Sequence, residues 1–186
     1  MKTWSLFLFL IFTLSLAACS GQPTNVYTEV APAVLKPGDP IPAPVGEVIL
    51  TVSGKIGIKN SGDTLQLDMP TLEKFGVVEY AINDPWLKQK VTYQGVLMSE
   101  FLKIIQAEPG VETVHFVALD NYEVDIAVQE INKWPILLAT RANGQYMSMS
   151  ENGPTRIIFP LDQFPEIDPK IYRDLMIWNI ASMEVR

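Results

Sequence analysis

The chain has 186 residues with a formal net charge of −7 at pH 7, and 48% of its residues are hydrophobic. An acidic chain without a cluster of lysine and arginine is a poor binder of nucleic acid, so no nucleic-acid partner is expected. The single cysteine and single histidine exclude a disulfide framework and leave too few of the usual ligands for a zinc or iron site, so no metal site is predicted.

Residues 1–18 have the three parts of an export signal. Lys2 supplies a positive charge, residues 4–16 form an apolar run rich in leucine and phenylalanine, and the small residues Ala17 and Ala18 follow. The apolar run is too short to cross a bilayer comfortably, and a small-residue cleavage site comes after it. We therefore predict a signal peptide that is removed, and not a membrane helix.

Cys19, the only cysteine, comes directly after this signal. The tetrapeptide of residues 16–19 resembles the lipobox of bacterial lipoproteins. The resemblance implies that the sulfur of Cys19 carries diacylglycerol and that two or three acyl chains anchor the protein on the periplasmic side of a bacterial membrane. Ser20 stands where an aspartate would indicate the inner membrane, which slightly favours the outer one. The alternative is a chance cysteine after an ordinary signal.

Residues 19–45 differ in composition from the rest of the chain. They are rich in proline, alanine, threonine and glycine. Such a segment buries too little apolar surface to fold, so it is predicted to be an extended, semi-rigid tether after the lipidated cysteine. Residues 46–186 are long enough to form one domain with a substantial core.

The domain is predicted to contain many strands and few helices. Strands are predicted at residues 47–54, 111–119, 123–128, 136–140, 155–160 and 178–185. A helix is predicted at residues 68–76, where a polar cap and a proline precede a terminating glycine, and another at residues 97–105. Asn143-Gly144 is a hairpin signal. The pattern indicates an α+β domain with mixed β-sheets and short helices.

A polar turn predicted at residues 81–86 contains the first candidate binding residues, Asn83, Asp84 and Trp86. Loops on a rigid scaffold are where binding residues concentrate. A carboxylate that accepts two hydrogen bonds beside a stacking aromatic ring suits a flat, nitrogen-rich heterocycle. The structural alternative is a proline turn with the Trp86 side chain in the core.

Two further polar turns contain the other candidates. One contains Asp120 and Tyr122 and would by default be a plain hairpin, and the other begins at Arg141 and would by default be a solvated loop. His115 is in a predicted strand that looks buried, and a structural role for its ring is favoured over a catalytic one. No glycine-rich phosphate loop is present, and no Ser-His-Asp set can be assembled.

Four segments, taken in order, resemble the molybdopterin-binding domain of the sulfite oxidase family. Residues 93–102 are similar to the family's aromatic-x-Gly-x-Leu entry into a helix, and residues 116–122 are similar to the strand, aspartate and turn that follow. Residues 137–144 are similar to its Leu-Ala-x-x-x-Asn-Gly signature, and residues 152–160 to its Gly-x-Pro-x-Arg segment. The resemblance covers nearly the whole domain and implies the sulfite oxidase-type molybdopterin-binding fold.

In catalytic members of that family a cysteine thiolate ligates molybdenum, and the resemblance puts Ile82 or Asn83 at this position. Isoleucine has no donor atom, and an amide oxygen is a weak, neutral ligand for a metal in a high oxidation state. The basic residues that could hold the cofactor's phosphate are few, namely Arg141, Arg156 and Arg173. The resemblance therefore implies the fold more strongly than the activity.

The chain also resembles small periplasmic proteins of this fold that lack the cysteine, bind reduced pterins and regulate a membrane-bound cyclic-di-GMP enzyme through its periplasmic domain. This resemblance implies a non-enzymatic lipoprotein that binds a reduced pterin without molybdenum and signals to a membrane partner. Asn83 and Asp84 would then pair with the pteridine edge, and Trp86 would stack on the ring.

In the same interpretation Tyr122 and Arg141 would close the pocket, and Asp120 would orient them. Two alternatives stay open. The chain could be a molybdopterin-dependent oxidoreductase with an unusual metal site, or an interaction module that keeps the fold as a docking surface without a pocket.

Overall fold

The structure, a computed structural model, describes residues 26–186. The predicted signal peptide and Cys19 lie outside this range. In the part of the chain that is described, no helix is long and apolar enough to cross a membrane.

Eleven strands and four short α-helices form the described part of the domain. The strands are β1 (Thr28–Ala31), β2 (Leu50–Gly54), β3 (Leu65–Leu67), β4 (Val77–Asp84), β5 (Gln89–Leu97), β6 (Thr113–Ala118), β7 (Glu123–Ala127), β8 (Leu137–Ala142), β9 (Gln145–Tyr146), β10 (Arg156–Ile158) and β11 (Ile180–Val185). The helices are α1 (Met69–Glu73), α2 (Met98–Ile104), α3 (Val128–Lys133) and α4 (Pro169–Tyr172). Single 3₁₀ turns span Met149–Glu151 and Arg173–Leu175.

The strands form two sheets. The first has the order β1-β4-β5-β8-β10, with β9 also paired to β8, and all of its pairs are antiparallel. The second has the order β3-β2-β11-β6-β7, in which β11 is parallel to β2 and antiparallel to β6. The prediction of an α+β domain with mixed sheets and short helices is confirmed.

One hydrophobic core contains buried side chains from both sheets and from the helices. The alternation expected of half-buried strands places Tyr80 and Ile82 of β4 and Phe116 of β6 inside. Phe101 of α2 stacks on Phe75, which follows α1, with ring centroids 4.8 Å apart.

Helix α1 begins and ends as its sequence predicts. Asp68 caps it by accepting a hydrogen bond from the backbone N–H of Thr71 at 2.9 Å, and Gly76 follows it at a φ of 92°. The second oxygen of Asp68 accepts hydrogen bonds from the backbone N–H groups of Val45 and Gly46. A hydrogen bond from the Thr71 side chain and those from backbone N–H groups lower the pKa of Asp68 to about 2.

The described part of the predicted extended tether, residues 26–45, packs on the domain instead of extending away from it. Strand β1 pairs with the edge of β4, and the N–H groups of Val34 and Leu35 donate to the carbonyl of Lys74 at 2.8 and 3.0 Å. Ile41 is 4% exposed. β1 contains no proline, so its N–H groups can join a sheet edge, and the prolines that follow it are tolerated in extended chain.

The predicted turn at residues 81–86 is also displaced. Residues Ala81 to Asp84 continue β4, and the turn occupies residues 85–88. The sequence conceals this strand because the polar Asp84 occupies an inward-facing position, where a buried ion pair satisfies it. Helix α3 was not predicted, and it takes Val128, the last residue assigned to the strand before it.

Candidate functional site

A cleft with a volume of about 240 Å³ opens where loops of the two sheets meet the segment before β11. The β4–β5 turn of the first sheet forms one wall, and the β6–β7 turn of the second sheet forms another. The 3₁₀ turn Arg173–Leu175 and the residues after it complete the lining. The residues that line the cleft are Trp86, Ala118, Asp120, Tyr122, Arg173, Asp174, Met176 and Trp178.

Aromatic surface dominates this cleft. Trp86 and Trp178 meet edge to face, with ring centroids 5.6 Å apart and an interplanar angle of 83°. Trp86 is 42% exposed and Tyr122 is 49% exposed, so ring faces are available to a ligand. Exposed aromatic faces beside polar groups are the usual means of holding a flat heterocycle.

Two aromatic side chains hold the C-terminal wall in place. The indole N–H of Trp86 donates to the carbonyl of Arg173 at 3.1 Å. The hydroxyl of Tyr122 donates to the next carbonyl, that of Asp174, at 2.9 Å. Since Trp86 belongs to a turn of the first sheet and Tyr122 to a turn of the second, these bonds connect both sheets to one segment. We call the pair the Trp86–Tyr122 clamp.

The charged groups of the lining are two carboxylates and one guanidinium. Asp120 accepts a hydrogen bond from the backbone N–H of Tyr122 at 3.0 Å, which fixes the β6–β7 turn. The guanidinium of Arg173 lies 5.4 Å from the Trp86 ring centroid, and its Nε is 3.4 Å from the carboxylate of Asp174. The lining therefore offers hydrogen-bond acceptors from aspartate and a single cation at the rim.

A buried polar network supports the turn that carries Trp86. One oxygen of Asp84 accepts hydrogen bonds from the N–H groups of Trp86 and Leu87, both at 2.8 Å. The other accepts from the Tyr93 hydroxyl at 2.6 Å and lies 3.2 Å from a guanidinium nitrogen of Arg156. Burial, followed by the neighbouring Asp84, raises the pKa of Tyr93 well above its ordinary range, although Arg156 opposes the shift. Tyr93 thus stays protonated and donates to Asp84.

The structure brings together three of the six residues that the sequence predicts for ligand binding. Trp86, Asp120 and Tyr122 line the cleft. Asp84 does not, because it is 1% exposed and its carboxylate is fully engaged by the network beneath the turn. Its observed role is to position Trp86.

Asn83 and Arg141 also lie outside the cleft lining. The side chain of Asn83 points away from the buried face of β4 and donates to Asp162 at 2.8 Å. Arg141 pairs with Glu73 at 2.6 Å and contacts the hydroxyl and ring of Tyr146. The structure therefore does not bring these two residues to this cleft.

Sequence reasoning missed Asp174 and Trp178 of the C-terminal lining, and it considered Arg173 only as a possible phosphate ligand. The three residues lie where the sequence predicts no more than the start of the last strand and the segment before it. No local motif connects them with Trp86, which lies 87 residues before Arg173 in the chain. Only Trp178, which is partly exposed and comes just before strand β11, could have indicated a site.

His115 has a structural setting, as the sequence favours. Its ring nitrogens face two carboxylates of the neighbouring strand β7, Asp125 at 2.9 Å and Glu123 at 3.6 Å. The imidazole does not line the cleft.

Comparisons with known proteins assign this architecture to a known domain family. The family model described as "oxidoreductase molybdopterin binding domain" matches residues 65–164, more than half of the chain. The chain therefore belongs to the oxidoreductase molybdopterin-binding domain family. The predicted resemblance to the sulfite oxidase-type domain is confirmed in both family and fold.

Among solved structures, the sulfane dehydrogenase SoxCD from Paracoccus pantotrophus is similar, with a TM-score of 0.55 and 13% sequence identity. The match covers 73% of this chain and 37% of the SoxCD chain. At this identity the likeness shows the fold alone, and our chain spans little more than a third of its relative. No curated protein sequence matches the chain.

The residues of the site fit only part of the cofactor that the family name implies. The two tryptophans and Asp120 suit a pterin ring system. At the position that the family resemblance assigns to the metal-ligating cysteine, Ile82 is fully buried and Asn83 is bonded to Asp162, so neither supplies a thiolate. In residues 26–186 no group of three or more histidine, cysteine, aspartate or glutamate side chains could hold a metal ion. The site therefore does not fit a thiolate-bound molybdenum.

Proposed function

We propose that the protein is a non-catalytic periplasmic lipoprotein that binds a reduced pterin without molybdenum and regulates a membrane-bound cyclic-di-GMP-metabolising partner. The observation that carries the proposal is the aromatic cleft between Trp86, Trp178 and Tyr122 in a family member without the thiolate ligand. Family membership supports a pterin-type ligand, and the absent donor at residues 82 and 83 argues against redox turnover.

The ligand would bind by stacking and by hydrogen bonds to carboxylate. A pterin ring presents a flat π surface and an edge of N–H donors. The exposed faces of Trp86 and Tyr122 suit the surface, and the free oxygen of Asp120 suits the edge. Stacking of a heterocycle on one aromatic side chain is worth about 1–3 kcal/mol.

A lipid anchor at Cys19 would favour a membrane-bound partner, because it would keep the domain near a membrane. If Cys19 is lipidated, only residues 20–25 separate it from Val26, where the described domain begins. Seven steps of chain from Cys19 to Val26 span at most about 25 Å. The packing of residues 26–45 on the domain would therefore hold the domain close to the membrane, where the periplasmic domain of a membrane signalling protein could contact it.

The clamp would transmit the effect of ligand binding to the exposed loops around the cleft. Three separate chain segments form the cleft, and the Trp86–Tyr122 clamp already connects them. A ligand that contacts all three would stabilise one arrangement of their exposed loops, and a partner that recognises this arrangement would respond to the ligand.

The test is a titration of the purified protein with a reduced pterin, in which binding is measured by tryptophan fluorescence and by calorimetry. The wild type should bind, and Trp86→Ala should bind at least about tenfold more weakly because a stacking face is lost. Tyr146→Ala is the matched control, since this tyrosine is similarly exposed at 50% but lies outside the cleft. No binding by the wild type, or equal binding by Trp86→Ala, would remove the proposal.

The signalling role needs a separate measurement in cells. Deletion of the protein and the Trp86→Ala variant should change the cellular cyclic-di-GMP level in the same direction, while Tyr146→Ala should behave as the wild type. An unchanged level in the deletion strain would disprove regulation of such a partner and leave pterin binding standing.

One observation, family membership itself, favours a second candidate, a molybdopterin-dependent oxidoreductase. It requires a metal site that does not use a cysteine thiolate. Elemental analysis of protein expressed with its export signal decides between the two. Molybdenum at near-stoichiometric occupancy would support the enzyme, and occupancy of a few percent or less would leave the non-catalytic function.

A further inference from the structure

We infer that the cleft selects a pterin whose side chain carries no phosphate, and that it discriminates against phosphorylated pterins, molybdopterin included. This inference rests on the proposed pterin binding and concerns the part of the ligand beyond the ring. It follows from the charges of the cleft lining and from the ion pairs and hydrogen bonds that already occupy the arginines near it.

The lining has a net negative charge. Asp120 and Asp174 contribute two negative charges and Arg173 one positive charge, which gives −1, and no lysine lines the cleft. The single cation is already shared, because Arg173 lies over the Trp86 ring and 3.4 Å from Asp174. A phosphate monoester would add about 1.5–2 negative charges to this set.

Arg141, one of the three arginines considered for holding a phosphate, is committed elsewhere. Its guanidinium is 2.6 Å from the carboxylate of Glu73 and also contacts the hydroxyl of Tyr146. It does not line the cleft. Turning Arg141 toward a ligand would leave Glu73, which is largely buried, without its counter-charge.

Arg156 is closer to the cleft but enclosed. It is 1% exposed, donates to the Tyr93 hydroxyl at 2.8 Å and pairs with Asp84 at 3.2 Å. Its guanidinium lies 5.8 Å from the Trp178 ring, which lines the cleft while Arg156 does not. Contact between Arg156 and a phosphate would require displacement of Trp178 and disruption of the buried pair that positions Trp86.

A phosphate in this cleft would therefore be desolvated beside two carboxylates with at most one shared counter-charge. Both effects weaken binding. A pterin with a neutral hydroxylated side chain avoids them and keeps the same ring contacts. The expected difference is a preference of about tenfold or more for the phosphate-free ligand at low salt.

The experiment compares dihydroneopterin with dihydroneopterin monophosphate, which differ only in the phosphate, on the full-length protein in detergent. Kd is measured for both at low and high salt. We expect the monophosphate to bind about tenfold more weakly at low salt and the ratio to fall as salt is added. Asp120→Asn and Asp174→Asn keep the side-chain shape and should each reduce the ratio.

Asp63→Asn is the matched control for these variants. It changes the net charge of the protein equally, but Asp63 is fully exposed and does not line the cleft. It should leave the ratio unchanged. Equal or tighter binding of the monophosphate overturns the inference and leaves pterin binding intact, whereas no binding of either ligand removes the proposed function and this inference with it.

Discussion

The carboxylate of Asp84 lies 3.2 Å from the guanidinium of Arg156, and both residues are 1% exposed. The pair joins the end of β4 to β10 across the first sheet, with Tyr93 of β5 bonded to both partners at 2.6 and 2.8 Å. Because the same aspartate accepts hydrogen bonds from the N–H groups that open the β4–β5 turn, the ion pair connects core stability with the position of Trp86.

Removal of one partner of this ion pair should be costly. Asp84→Ala leaves the guanidinium of Arg156 buried without its counter-charge and the turn without its acceptor. A loss of about 3–5 kcal/mol in the free energy of unfolding is expected, measured by urea denaturation. The control Asp63→Ala, at an exposed pair with Lys59 whose atoms are 3.8 Å apart, should change stability by less than about 0.5 kcal/mol.

A double variant separates charge from packing. The double variant Asp84→Ala with Arg156→Met removes both charges, so its free energy of unfolding should be higher than that of Asp84→Ala alone. Its binding of a reduced pterin should still be weaker than that of the wild type, because the Trp86 turn has lost the Asp84 carboxylate. If Asp84→Ala unfolds at the same urea concentration as Asp63→Ala, the pair does not carry the stability assigned to it.

Gly95 has a packing requirement that a single methyl group tests. A Cβ atom at this position of β5 would collide with the backbone carbonyl of Leu138 and with Ala139 on the neighbouring strand β8. Gly95→Ala should therefore destabilise the domain by about 2 kcal/mol or more, because backbone atoms must shift. Gly46→Ala, where the new methyl group would meet only ordinary contacts, should be nearly neutral in the same denaturation assay.

Local signals in the sequence predicted much of the fold. Helix α1 was predictable because its cap, its proline and its terminating glycine lie within nine residues, and each acts through its own backbone. The Asn143-Gly144 hairpin was predictable for the same reason, since both residues adopt the positive φ that the turn requires. Such features depend on neighbours in sequence and need no knowledge of tertiary contacts.

The site was only half predictable, because its geometry depends on distant contacts. Asp84 has the polarity of a binding residue, and nothing in its local sequence reveals the buried Arg156, 72 positions further on, that engages it. Arg141 likewise resembles a free cation until Glu73 is placed beside it. The sequence could indicate Trp86, Asp120 and Tyr122 because turn residues usually lie at the surface, independently of distant tertiary contacts.

Asp68 should make the domain sensitive to acid. Its pKa is lowered from an ordinary 3.8 to about 2 by hydrogen bonds from Thr71 and from the N–H groups of residues 45 and 46. A folded-state pKa below the unfolded value stabilises the protein above about pH 4, and this contribution is lost as the pH falls toward 2. The free energy of unfolding should therefore decline over this window by less in Asp68→Asn than in the wild type.

Glu151 is a useful comparison for that measurement. Its pKa is also lowered, by hydrogen bonds from Ser148, but the residue is exposed. Glu151→Gln should leave the acid dependence close to that of the wild type. A wild type and an Asp68→Asn variant with parallel stability curves between pH 4 and pH 2 would contradict the assigned role of Asp68.

The packing of residues 26–45 on the domain can be tested at one side chain. Ile41 is 4% exposed, so Ile41→Ala should lower the free energy of unfolding by about 2–4 kcal/mol. Val45→Ala is the control within the same segment, since Val45 is fully exposed. Equal stability of the two variants would contradict the packing of this segment on the domain.

The contribution of the Trp86–Tyr122 clamp to the cleft wall can be measured at the backbone amide of Met176. The carbonyl of Arg173 accepts from both the Trp86 indole and the backbone N–H of Met176, at 3.1 Å each. Trp86→Phe with Tyr122→Phe removes both clamp bonds and keeps aromatic rings in the cleft. Each bond is worth about 1 kcal/mol, so the Met176 amide should exchange with solvent about tenfold faster or more, as measured by hydrogen–deuterium exchange.

Tyr146→Phe is the control for the exchange measurement, because the Tyr146 hydroxyl bonds Glu73 and Arg141 and not the cleft wall. It should leave the Met176 amide unchanged. A bound pterin should slow exchange there in the wild type, since the ligand contacts the same wall, and should slow it less in the double variant. If the double variant exchanges at the wild-type rate, segment 173–176 is held by its own packing, and the clamp cannot transmit ligand binding to the loops.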